Sequence, residues 1–308
     1  MQEKEWKLTD GSLYYEIDEG ADPKTIRITR FQGNSSRLEV PEQIEGLAVT
    51  AVGKKAFLSR KNLRRVVLPV TLEEVGDWAF AYCDHLSEVV LPYRGIRFGK
   101  AVFMECGELQ RILAKPQTLE RSEEGFPAEL LAAAVTRMDA AYLLDMEAAG
   151  TEEWLGKWDA RLLTLLHTSD QEGYSKQVLC GEEDYGSTDL VAYMSGRRKE
   201  KVRLILLRLL FCQGLPVKLK KELESYLRTH TKGEDSEEAW QVILTEHGTH
   251  REYYDLFASV GCVAEGNING ILEDIGEDFP EMKAYFLRTC CYREEACGTA
   301  DFFAGLEL

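Results

Sequence analysis

A chain of 308 residues, 44% hydrophobic and 29% charged, has the composition of a soluble globular protein and the length for two cored domains. Its net charge of −16 lies beyond residue 115: the first 115 residues carry 17 basic and 17 acidic side chains, the remainder 20 and 36. That acidity repels phosphate backbones and excludes a nucleic-acid partner. The longest greasy run, VRLILLRLLFC at 202–212, contains Arg203 and Arg208 and falls short of the roughly 20 apolar residues of a bilayer span, so no membrane contact is expected.

The chain opens with MQEKEWKLTDG, which lacks the basic-then-apolar order of a secretory leader. A cytoplasmic location is expected, with the cell surface as the alternative. The eight cysteines contain no CxxC pair and fit no zinc spacing, so free thiols and no metal or other cofactor are expected.

The first third repeats. VGKKAF at 52–57, VGDWAF at 75–80 and FGKAVF at 98–103 lie 23 residues apart. The same period links Leu63, Leu86 and Leu109; Val66, Val89 and Ile112; and the VVLP ending at Pro69 and Pro92. A fixed period of this length with L-x-x-L-x-L character predicts a leucine-rich solenoid. Stacked coils bury columns that no isolated strand could bury. Phe57, Phe80 and Phe103 are expected to form one interior column. Gly53, Gly76 and Gly99 are expected at a bend that needs freedom in φ.

VGDWAFAYCDHLSEVVLP resembles the coil of the BspA-like bacterial leucine-rich repeats, I-G-x-x-A-F-x-x-C-x-x-L-x-x-I-x-L-P. The segment 28–57 resembles the looser first coil with which such arrays begin, and the resemblance covers about residues 12–115. The third coil departs from it, with Val102 in the alanine position. The resemblance implies protein or ligand binding, not catalysis.

After Pro116 the hydrophobic period becomes helical. PAELLAAAVTRMDAAYLLDME and EEWLGKWDARLLTLLH are the first two segments, and a polar, Gly-rich break follows near 170–187. Helical runs resume at 188–195, 198–213 and 216–230 and continue in short pieces separated by Gly or Pro. YYDLFASVGCV and EMKAYFLRTCC resemble ankyrin-like helix pairs without the T-P-L-H hallmark; a generic helical-hairpin array fits equally. The expected fold is therefore α+β: a solenoid over 1–116, then an α-helical domain over 117–308 that caps its open end.

No phosphate loop, zincin or nucleophile-elbow motif occurs. HGTH at 247–250 reads as a turn rather than a metal site, Cys290–Cys291 as packing, and GRRKEK at 196–201 as a solvated helix start. The expected function is a non-catalytic protein–protein interaction module. The alternatives are a surface or structural binding protein, and an enzyme with an unrecognised site in the helical part. Strand alternation turns two columns outward: Arg65–Glu88–Arg111, whose signs alternate, and Val67–Val90–Leu113, which is apolar. These six residues are the expected protein-binding face.

Overall fold

The structure is a computed structural model that describes residues 3–116, 125–174 and 189–297, with side chains to residue 288. Strands β1 (Lys4–Leu8) and β2 (Gly11–Asp18) form an antiparallel hairpin, followed by β3 (Thr25–Gly33), β4 (Arg37–Glu39), β5 (Gln43–Ile44) and β6 (Leu47–Val52). Then come β7 (Arg65–Val67), β8 (Glu74–Val75), β9 (Glu88–Leu91), β10 (Arg97–Phe98) and β11 (Arg111–Ala114). They build two sheets, β1-β2-β3-β6-β8-β10 with β5 beside β6, and β4-β7-β9-β11. Each coil contributes one short strand to each sheet, and pairing from β7 to β11 is parallel, in steps of 23 residues.

The phenylalanine column forms as the period requires. Phe57 and Phe80 stack with ring centroids 4.8 Å apart, and Phe80 and Phe103 at 5.6 Å. Phe31 extends the column at 5.8 Å from Phe57, and Leu38 pairs in register with Val66. The first coil is thus a full coil, longer by a few residues than the rest. Cys83 Sγ donates to Phe57 O and Cys106 Sγ to Phe80 O, both at 3.1 Å. Each thiol ties its coil to a carbonyl of the one before. Both are unbridged, and burial pushes their pKa values up to about 11 and about 12.

The glycine column has a different cause from the one expected. Gly53, Gly76 and Gly99 do not have positive φ. A Cβ at Gly76 would lie 2.7 Å from Lys54 N, and one at Gly99 would lie 2.5 Å from Asp77 N. Backbones of adjacent coils pass too closely for a side chain. The left-handed positions fall instead on Lys55, Trp78 and Ala101 and on Ser59, Tyr82 and Glu105, two per coil at the same period. No glycine marks them, so stacking holds a conformation that these residues seldom adopt alone.

The chain divides into two compact units, 1–167 and 168–308. The last strand ends at Ala114 and the first helix begins at Ala128; residues 117–124 lie outside the described ones, and the expected boundary at 116/117 falls inside the first unit. The first unit continues through α1 (Ala128–Thr136), a 3-10 turn (Ala141–Leu143) and α2 (Glu152–His167). α1 packs on β11 and buries Leu130, Leu131 and Ala134. Trp158 Nε1 donates to Leu130 O at 3.1 Å, and Trp154 Nε1 to Leu143 O at 2.8 Å. Leu109 and Ile112 of the last coil are buried.

The second unit holds α3 (Leu190–Leu210), α4 (Val217–Thr229), α5 (Glu238–Glu246), α6 (Arg251–Ser259), α7 (Ile268–Ile275) and α8 (Pro280–Cys297). Asp189 caps α3 by accepting from Val191 N at 2.8 Å and Ala192 N at 3.4 Å. Leu219, Leu223 and Leu227 give α4 a buried stripe at i, i+4. α3 packs against α4, α5 and α6, and α8 against α6 and α7. Among the described residues no helix is long and apolar enough to cross a membrane.

GRRKEK corrects its expected role. It lies inside α3 rather than at a solvated start, with Lys201 buried. Lys201 Nζ lies 2.7 Å from Asp170 and donates to Thr168 O at 2.7 Å; Arg198 bridges Asp170 at 2.9 Å and Glu238 at 3.3 Å. The side chains of Cys290 and Cys291 lie outside the described residues.

Candidate binding face of the solenoid

The β4-β7-β9-β11 sheet carries all six residues of the expected face, in the expected register. Arg65 pairs with Glu88 and Glu88 with Arg111; Val67 pairs with Val90 and Val90 with Leu113. The charged column closes into a chain of ion pairs. Arg65 Nη1 lies 2.7 Å from Glu88 Oε1, although the angle is not that of a hydrogen bond, and Arg111 Nη1 lies 3.6 Å from Glu88 Oε2. Arg111 Nε also reaches Glu129 on α1 at 3.1 Å. Glu88 is the anchor: its side chain is 17% exposed, against 46% for Arg65 and 48% for Arg111.

The apolar column is less open than strand alternation suggests. Val67 and Leu113 are half-buried, and Val90 is only 4% exposed. Val90 is the central member, with a neighbour in register on each side. A partner would meet Val67 and Leu113 first.

Two members of the charged column escaped the 23-residue period. Arg37 pairs in register with Arg65, 28 residues on, and Glu129 belongs to α1. LEVP at 38–41 stands 28 residues before VVLP at 66–69, and that match would have found Arg37.

The other sheet bears a second polar surface. A groove of about 490 Å³ runs past Asp18, Thr50, Thr71, Glu73 and Arg94. At its floor, Arg27 grips Glu74 through both guanidinium ends at 2.7 and 3.4 Å, and Arg97 adds a third contact at 3.2 Å. The hydrogen bonds from Arg27 hold the Glu74 carboxyl below its usual range, against the opposing effect of burial. Its charges satisfy one another, which suits a structural ladder better than a reactive site.

In the second unit, burial alone would raise the pKa of Asp170, but hydrogen bonds from Lys201 and Arg198 outweigh it and lower the value. Glu238 behaves likewise, with burial opposed by Ser236, its own backbone, Ser195 and Arg198. Ser236 and Ser195 lie near enough to favour the charged form, yet Glu238 Oε2 takes no hydrogen bond of good geometry. At HGTH, His247 stacks on Tyr253 with centroids 3.6 Å apart, and burial lowers its pKa. Among the described residues no group of His, Cys, Asp and Glu could hold a metal ion.

Residues 25–127 match the BspA type leucine rich repeat region, in six copies. A leucine-rich repeat protein of T. pallidum is 33% identical over 36% of this chain and 50% of its own, with a TM-score of 0.32. A leucine rich cell surface protein of Faecalibacterium prausnitzii A2-165 is 24% identical over 37% of this chain and 30% of its own, with a TM-score of 0.31. A leucine-rich repeat protein of Bacteroides capillosus ATCC 29799 is 26% identical over 34% of this chain and 78% of its own, with a TM-score of 0.30. The chain spans half the length of the T. pallidum protein. No curated protein matches.

Proposed function

We propose that this chain, whose residues 25–127 form a BspA-type leucine-rich repeat region, is a non-catalytic protein-binding module that uses its β4-β7-β9-β11 face. One observation carries the reading: a parallel sheet presents an in-register Arg65–Glu88–Arg111 column beside Val67 and Leu113. Apolar contact supplies affinity there, and the charged column sets register and rejects mismatched partners. Four strands at about 4.8 Å spacing make a narrow surface. A stable interface buries more than about 1,000 Å² in total, so the contact extends beyond these columns.

The second unit reads as a helical-hairpin array, ankyrin-like in its last helices. Supporting this, Tyr254 of α6 meets Phe286 of α8 edge-on at 6.0 Å. This reading includes a cytoplasmic location, which the buried, unbridged thiols of Cys83, Cys106 and Cys262 support; protease shaving of intact cells distinguishes it from surface display. The test of function is Val67→Arg in the full chain. Val67 is only half-buried, so the variant should keep its melting temperature and lose captured partners. An unchanged set of partners would remove this face from consideration.

A further inference from the structure

The two ends of the β4-β7-β9-β11 sheet are finished differently. β11 has α1 packed against it. β4 is the terminal strand at the other end, and among the described residues no strand pairs with its outer edge, where Ser35 Oγ donates to the outward carbonyl of Arg37 and leaves that oxygen a second lone pair. The neighbouring sheet is closed at that end of the solenoid, because the β1–β2 hairpin pairs antiparallel with β3. The N-terminal cap thus covers one sheet and leaves the other with an unpaired edge, which is where strands add.

The ladder shows which groups of β4 point outward. Arg65 N donates to Ser36 O at 3.0 Å, and Val40 N donates to Val67 O at 2.9 Å. Even-numbered residues here turn their main chain toward β7, so alternation turns the N–H groups of Arg37 and Glu39 away from the sheet. Both residues are exposed.

The side chains of this edge are unbalanced. Arg37 stands in register with Arg65, a like-charge pair on neighbouring strands that disfavours itself. Glu88 answers Arg65 and Arg111 from within the sheet, and Glu129 answers Arg111 again. Arg37 has no acidic partner among the described residues, and exposed Arg64 lies one position before Arg65. A carboxylate placed beyond Arg37 would continue the alternation of signs outward.

We propose that the open edge of β4 takes an extended acidic segment of a partner protein, added as a further strand with a carboxylate facing Arg37. The proposal rests on the reading of this face as a protein interface and specifies the chemistry of what binds there. The residue two positions along the incoming strand meets Glu39, so it is apolar or basic rather than acidic. Main-chain hydrogen bonds give the added strand its affinity, and the Arg37 column selects its charge.

The test is fluorescence anisotropy of labelled decapeptides on the full chain. One peptide, called Val–Glu, alternates Val with Thr except for a single central Glu in a Thr position, and its control, Val–Lys, carries Lys in place of that Glu, so that the neighbour facing Glu39 is uncharged in both. The Val–Glu peptide should bind about tenfold or more tightly than the control, and Arg37→Glu should remove about that preference. Glu39→Pro removes an outward N–H without touching the bonds to β7, and should abolish binding at an unchanged melting temperature. Should that variant unfold, two Val–Glu peptides N-methylated either at the Glu and its same-face Thr residues or at the Val residues decide the matter, since only one of them can still add as a strand. Equal binding of Val–Glu and Val–Lys peptides, binding indifferent to Arg37→Glu, or equal binding of the two methylated peptides would each overturn the proposal. Loss of peptide binding in Val67→Arg but not in Glu39→Pro would keep the face and overturn the edge. Self-association of the chain that the acidic peptide displaces would make the occupant a second copy, and would likewise overturn it.

Discussion

In the solenoid one solution is used several times; in the helical unit every contact is made once. Phe57, Phe80 and Phe103 do the same job in successive coils, as do Cys83 and Cys106. In the second unit Trp240 donates to Asp274 at 2.8 Å, and Asp170 collects Arg198 and Lys201, contacts that no repeat multiplies among the described residues. A coil is stabilised by its neighbours and fails with them. The helical unit depends on individual partners, so damage there stays local. Variants that compare the two kinds of construction can break this contrast or sharpen it.

The largest effect expected is from truncation. A fragment ending at residue 115 leaves β11 without α1, so it should aggregate, whereas the fragment 1–167 keeps the compact unit. Gel filtration of the two distinguishes these outcomes; a well-behaved monomer from the shorter one would show that the last coil needs no cover.

Next is Phe80→Ala, which empties a fully buried aromatic site and should cost about 3–5 kcal/mol by urea unfolding. Because Phe57 and Phe103 both lean on Phe80, the loss should exceed that of Phe286→Ala at the edge of the helical unit. Gly76→Ala should cost about 1–3 kcal/mol, because the new Cβ would meet backbone that cannot swing aside. A neutral result would return the column to an argument from φ, which the angles at Gly53, Gly76 and Gly99 do not support.

Asp170→Asn should cost about 1–3 kcal/mol at neutral pH, because Lys201 stays buried without its anion. Against the opposing effect of burial, hydrogen bonds from Lys201 and Arg198 hold the folded pKa of Asp170 below the ordinary aspartate value. Its contribution is therefore complete above that value and is lost as pH falls through the lower, folded one. The gap between wild type and variant should close in that acid range; a gap independent of pH would assign the effect to packing. The smallest effect expected is from Arg97→Ala. Its side chain is 73% exposed, so its ion pair to Glu74 should contribute less than about 0.5 kcal/mol to the melting curve.

The period of 23 made the phenylalanine column, the β7-β9-β11 strands and the register of the six outward residues legible, since identical spacing in a solenoid means identical place; the second strand of each coil, β8 and β10, it did not show. Arg37 was not legible that way, because the first coil is longer and its match to β7 lies at 28. The burial of Lys201 was not legible either: a basic run in an acidic region looks solvated until Asp170 and Glu238 arrive from other parts of the chain.

The sequence by itself determined the repeat, its register and the identity of each column, because those follow from local pattern multiplied by translation. Tertiary structure alone decided why glycine stands at 53, 76 and 99, since a repeated glycine reads the same whether a positive φ or a close approach between coils requires it. It also decided that Val90 is buried while Val67 and Leu113 are half-open, because burial depends on what lies to either side of a strand. And it left β4 as the open end of its sheet while α1 packs on β11, since strand order belongs to the assembled chain and to no segment of it.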